Sequence, residues 1–138
     1  MHFSKALSIF SLATLASAAQ ISYDRGYDDA NRTMEFVACS DGANGLITRY
    51  GWSVQGDINN FPYIGGAQAV DDWDSPYCGS CWQATYKGRS IFVLAIDHTE
   101  SGLNVAFDAL DDLTNGNAQK FGVIDATVSQ VPLKMCRL

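Results

Sequence analysis

The longest unbroken apolar stretch with β-forming side chains is residues 90–96 (SIFVLAI). It is too long for a strand with one wet face, and predicts a central strand buried on both sides. Residues 82–86 (WQATY) alternate polar and apolar positions with the period of two of a half-buried strand. Lys87-Gly88-Arg89 joins the two stretches and reads as a hairpin turn with glycine in its middle. Shorter strands are predicted at 38–40, 46–50, 104–107 and 127–131, and another at 21–23. Helical periodicity is scarce. Residues 108–113 (DALDDL) open on an N-capping aspartate, keep carboxylates in the first turn and stop at Asn115-Gly116. A further single turn is predicted at 68–72, while 51–56 and 61–66 read as loop. Many short strands with glycine-rich joints and one or two short helices predict a mostly β chain, closed or nearly closed into a barrel.

The first residues change the picture of where the chain works. Lys5 precedes the apolar run 6–16, which ends in Ala16-Ser17-Ala18. This is the charged, apolar and small-residue order of a secretory signal peptide, expected to be cut after Ala18 or Ala19. The run is shorter than the about 20 residues of a membrane span. The expected organisation is therefore a leader at 1–18 and one domain at 19–138, since no repeat, low-complexity tract or linker marks a second. The 138-residue chain carries 9 basic and 15 acidic residues. Loss of Lys5 leaves a net charge of about −7, which repels nucleic acid and anionic lipid.

A secreted chain places its four cysteines, Cys39, Cys78, Cys81 and Cys136, in disulfides. Four cysteines allow three pairings. A Cys78–Cys81 bond would be a redox arrangement, which wants a cytosolic βαβ unit, and the residues after Trp82 look like strands. Zinc would need a second close Cys or His pair, and there is none. Of the two long-range pairings, Cys39–Cys78 with Cys81–Cys136 is sequential. No metal or other cofactor is expected.

Asp97 follows the buried strand directly, so a carboxylate is delivered at a strand's C-terminal end, where barrels open. There it can accept hydrogen bonds from sugar hydroxyls or serve as a general acid or base. Asn104 opens the next predicted strand. A hairpin between the two would set an amide, with donors and an acceptor, beside the carboxylate. His98 lacks a nucleophile partner and reads as a residue at the edge of this groove. Glycoside hydrolysis needs two facing carboxylates, and the sequence singles out no partner for Asp97 among Asp41, Asp74 and Asp108. Trp82 reads as core packing, Trp73 in an acidic stretch as solvated loop, and Trp52 as a loop aromatic. Asn31-Arg32-Thr33 is an N-glycosylation sequon on an exposed segment.

The same segments resemble the cerato-platanin family of small secreted fungal proteins. The resemblance runs through Ile21-Ser-Tyr23-Asp24, Val37-Ala-Cys39-Ser40, Asn44-Gly45-Leu46, Phe61-Pro62 and Ile64-Gly65-Gly66. It is densest at Trp73-Asp-Ser-Pro-Tyr-Cys78-Gly-Ser-Cys81-Trp82, and continues through Ile91-Phe92, Ile96-Asp97, Leu103-Asn104-Val105 and Cys136. Arg25, where the family often has proline, is a small departure. The resemblance implies a six-stranded double-psi β-barrel, similar to expansin and family 45 endoglucanase domains, with bonds Cys39–Cys78 and Cys81–Cys136. It implies a groove at Asp97 and Asn104 with Tyr50, Ser75, Gly79 and Ser40 nearby. It also implies a non-catalytic protein of the extracellular space and fungal cell wall. That protein would bind chitin or N-acetylglucosamine oligomers, elicit plant defence and self-assemble at surfaces. Expansin-like wall loosening, or a weak lytic activity on glycans, is the enzyme-like rival. The aromatics between Trp52 and Tyr63 are the expected support for surface activity.

Overall fold

The structure, a computed structural model, describes residues 15–138. The leader read in residues 1–18 lies for the most part outside them.

The apolar run becomes the interior of β4 (Arg89–His98), in which Val93, Leu94, Ala95 and Ile96 are all buried. β4 has a strand at each edge within the closed barrel, and helix α2 (Phe107–Leu113) and the turn Leu133–Cys136 pack against it. On one side β3 (Cys81–Tyr86) pairs antiparallel through a two-residue turn, Lys87-Gly88, with both φ values positive. That backbone suits the twist of a tight hairpin. On the other side lies β2 (Ile64–Ala67), parallel to β4. With β1 (Ser17–Tyr23), β5 (Leu103–Val105) and β6 (Ile124–Val131), the order is β1-β5-β2-β4-β3-β6, closed by the β1–β6 seam. The six-stranded closed barrel is therefore present. Both long-range disulfides are formed in the sequential pairing, with Cα–Cα distances of 5.4 Å for Cys39–Cys78 and 5.9 Å for Cys81–Cys136.

Several local expectations are corrected. Residues 46–50 form a short helix, α1 (Leu46–Tyr50), not a strand. Its β-forming side chains are overridden because Leu46 alone is fully buried and Gly51, in the left-handed region, returns its N–H to the Ile47 carbonyl. Residues 38–40 form no strand. Cys39 N donates to the Ile96 carbonyl, but the Ala38 N–H is taken by the Asp97 side chain, so the ladder stops there.

The predicted loop at 61–66 yields β2 at its end. Its glycines are what admit it: a Cβ on Gly65 would strike the Asn104 carbonyl, and one on Gly66 would lie 2.7 Å from the His98 carbonyl oxygen. Phe107 is helical rather than the end of β5. Asp108 does not cap α2; the carboxylate of Asp28 accepts from Phe107 N (2.6 Å) and Asp108 N (2.9 Å) instead. A third short helix, α3 (Ala118–Phe121), was not predicted. Around residues 68–72 a single turn does occur, closed by Val70 N to the Ala67 carbonyl.

Candidate functional site

Asp97 and Asn104 are not joined by a hairpin, because β5 pairs with β1 and β2 and leaves β2 between it and β4. They are nevertheless in register. Ser22 pairs with Asn104, Asn104 with Gly66, and Gly66 with Asp97, a row across four strands. The neighbours Ile21, Leu103, Val105 and Ile96 are buried inward, so the row faces outward. Two strand spacings put the Asp97 and Asn104 backbones about 10 Å apart. Gly66 between them carries no side chain, and opposite Gly65/Gly66 the register shifts by one residue, Ile96 being the extra residue of β4 just before Asp97.

The Asp97 carboxylate is held tightly. Its Oδ1 accepts from Ala38 N and His98 N (both 2.9 Å), and its Oδ2 accepts from the Tyr27 hydroxyl at 2.7 Å. A carboxylate offers about four lone-pair sites, so Oδ2 retains one for an outside donor. Burial of Tyr27, and then the negative charge of Asp97, push the phenol well above its ordinary range, which keeps it protonated and donating. Asn104 Oδ1 accepts from the Ser22 hydroxyl at 3.2 Å, and among the described residues its amide nitrogen has no protein partner. The row thus offers one acceptor and a free amide donor.

His98 is the last residue of β4. Its Nδ1 lies 2.6 Å from the Val70 carbonyl and its Nε2 2.9 Å from Glu100 Oε2. Two acceptors favour the doubly protonated ring. The Glu100 hydrogen bond, followed by that of Val70, raises its pKa above 6.5.

The other expected groove residues form a second group around the Cys39–Cys78 bond. Tyr50, at the end of α1, stacks on Trp52 with ring centroids 4.3 Å apart. Arg49 donates to the Cys78 carbonyl (2.8 Å) and to the Tyr50 hydroxyl (3.3 Å). Gly79, at φ +79°, sends its N–H to the Ala95 carbonyl and lies against Arg49. Ser75 is buried, its hydroxyl oxygen accepting from Tyr77 N, while Ser40 reaches Asp41 at 3.5 Å. Ala38, one residue before Cys39, links this group to Asp97.

Trp52 is buried. Trp73 is 56% exposed and donates to Asp41 at 2.7 Å. Trp82 is half-buried, and its indole N–H donates to Ser80 at 2.7 Å. The exposed large apolar side chains include Phe36, Trp73 and Tyr77 rather than the stretch from Trp52 to Tyr63. Asn31 is exposed in a turn. Sequence reasoning missed Tyr27 and Arg49. A phenol 70 positions from its carboxylate leaves no local signal.

Among the described residues no helix is long and apolar enough to cross a membrane. The family model described as Cerato-platanin matches residues 19–138. The chain is 47% identical over 130 residues to the heat-stable 19 kDa antigen of Coccidioides posadasii, covering 94% of this chain and 88% of that one. The crystal structure of cerato-platanin 2 from M. perniciosa superposes with a TM-score of 0.83 at 43% identity, covering 88% of this chain and 100% of that one. The solution structure of the fungal elicitor cerato-platanin gives 0.76 at 38% identity, covering 85% and 95%. An expansin of Clavibacter michiganensis shares the fold alone, with a TM-score of 0.53 at 14% identity over 86% of this chain and 51% of that one. The barrel is thus of the double-psi kind.

Proposed function

The chain belongs to the cerato-platanin family, and from that premise we propose that it is a secreted fungal protein that binds chitin or N-acetylglucosamine oligomers without cleaving them, and that plants perceive as an elicitor. The observation that carries the binding reading is the row Ser22–Asn104–Gly66–Asp97. It supplies one acceptor and one amide donor about 10 Å apart on a surface left low by glycine. This suits hydroxyl and acetamido groups of successive sugars. Three donors already fix the Asp97 carboxylate as an acceptor, which favours recognition over proton transfer. The elicitor reading is supported by the 38% identical fungal elicitor, and the extracellular and cell-wall location by the leader-like start of the chain.

A shallow outer face buries little area, so affinity should be modest and grow with oligomer length. Titration calorimetry with N-acetylglucosamine oligomers should show Asp97→Ala weakening binding about tenfold, the loss of one charged hydrogen bond, with an unchanged circular dichroism spectrum. Wild-type affinity in that variant would move the site elsewhere. Release of reducing sugar from chitin, dependent on Asp97, would replace the binding reading by an enzymatic one. Softening of cellulose sheets without sugar release would favour the expansin-like reading.

A further inference from the structure

A cleft of about 340 Å³ opens at the barrel end where β1, β3 and β5 begin and β2 and β6 finish. That is within the ordinary size of a small-ligand site, ~300–1,000 Å³. No charged side chain lines it. Trp82 and Gln130 pair across β3 and β6 and both reach it, with Ser129 beside them and Gln68 on the opposite wall. Ala67 and Val128 supply apolar wall between.

The indole is fixed in place. Its N–H donates to Ser80 Oγ, which in turn donates to the Tyr77 carbonyl at 2.6 Å. Gln68 uses its carbonyl oxygen to accept from Gly102 N. Among the described residues its amide nitrogen, the Ser129 hydroxyl and the Gln130 side chain have no protein hydrogen bond.

These observations narrow the ligand. A phosphate or carboxylate would enter without a counter-charge, and so would an ammonium. A purely apolar ligand would leave two amides and a hydroxyl desolvated. A neutral ring with one apolar face and several hydroxyls satisfies both walls, because indole covers the face and amides meet the edge. The location adds continuity. Gln68 is two residues beyond Gly66, and Gly102 and Leu103 lead directly into Asn104, so cleft and outer row share β2 and β5. Leu15, Ser17 and Ala18 crowd one side of the cleft. The volume of about 340 Å³ includes the wall they form, and a cut after Ala18 or Ala19 leaves the mouth lined by the residues of β2, β3, β5 and β6.

We propose that this barrel mouth is a second sugar subsite, in which Trp82 takes one neutral pyranose of the glycan whose neighbouring units lie on the Asp97–Asn104 row. The proposal rests on the carbohydrate-binding reading. It is tested on the secreted, processed protein, labelled with 15N and titrated with N-acetylglucosamine oligomers from monomer to hexamer. The Trp82 indole N–H and the Gln130 side-chain amide report on the mouth; the Asn104 side-chain amide and the His98 backbone N–H report on the row. Longer oligomers are expected to shift both sets. Gln130→Ala, at an exposed position, and Trp82→Phe should each weaken hexamer binding, the latter about tenfold.

Shifts in the row with the mouth silent overturn this proposal and leave the binding reading standing. Shifts in the mouth alone overturn the proposal that one glycan spans mouth and row, and remove the row as the binding site. Silence in both sets removes both. Trp82 shifts that follow protein concentration without sugar would mean that a second copy covers the mouth, and would overturn it as well. If Trp82→Phe fails to fold, unchanged hexamer affinity in Gln130→Ala together with a silent indole still decides against it.

Discussion

Tyr27 shows how much of the site rests on one side chain that the sequence does not advertise. Its buried hydroxyl donates to Asp97 and orients the carboxylate. Tyr27→Phe keeps the ring and removes that bond, so it should destabilise the fold by about 2 kcal/mol, the range of hydrogen bonds to charged groups. A urea midpoint lowered at unchanged slope would confirm it; an unaltered midpoint would show that water replaces the hydroxyl. His98 makes a different test. Its pKa is raised in the folded state, so the stabilisation from its contacts is whole below the unfolded value of about 6.5 and is lost as pH rises through the folded one. Proton NMR should place the imidazole titration above 6.5, and Glu100→Gln should bring it down. The ring is partly exposed, so the effect on overall stability is small. Position alone marked Asp97 and Asn104, because a carboxylate after a long apolar run and a polar residue opening a strand are local facts. The Tyr27–Asp97 and Arg49–Cys78 contacts arise from packing across tens of residues and leave no trace in a window.

At the level of elements, strands legible in the sequence were those with a packing reason visible in their own composition. β4 and β3 have it. β2 does not: Ile-Gly-Gly-Ala has neither alternation nor bulk, and is a strand because β4 and β5 clasp it. Its glycines look like loop residues for the very reason that they fit between two backbones. Gly65→Ala should therefore destabilise by about 1–3 kcal/mol or more, since the added methyl meets the Asn104 carbonyl and neither strand can move. Thermal melting should show a lower midpoint. A neutral result would mean that β5 yields. Helix α1 failed in the opposite sense. Leu-Ile-Thr-Arg-Tyr has strand-like content, but one turn ended by Gly51 lets Leu46 enter the core while Arg49 and Tyr50 remain at the surface.

For the whole molecule, two bonds diverge from one short segment. Cys78 ties back to Cys39 and Cys81 forward to Cys136. Each closes a loop long enough to restrain the unfolded chain by several kcal/mol. Replacing both members of either pair by serine should lower stability by roughly 2–5 kcal/mol, read as a lower denaturant midpoint. Peptide mapping without reduction should recover only the two long-range links; a Cys78–Cys81 peptide would contradict the pairing. The pairing was legible because both outward bonds are sequential, and the barrel because short strands and glycine joints recur along the chain. The order of strands was not, since crossovers such as β2 between β4 and β5 depend on contacts that no local pattern encodes.

The seam between β1 and β6 has a consequence in time. Strands roughly a hundred residues apart in the chain must meet before the barrel is closed. As synthesis proceeds, β1 has no partner on that side until β6 has emerged, and Cys81 waits for Cys136, which follows it. A chain with so many distant pairings gathers slowly, over milliseconds to seconds rather than microseconds. Until β6 has emerged the barrel cannot close, and an unclosed polypeptide can be threaded through a narrow channel before it acquires its shape.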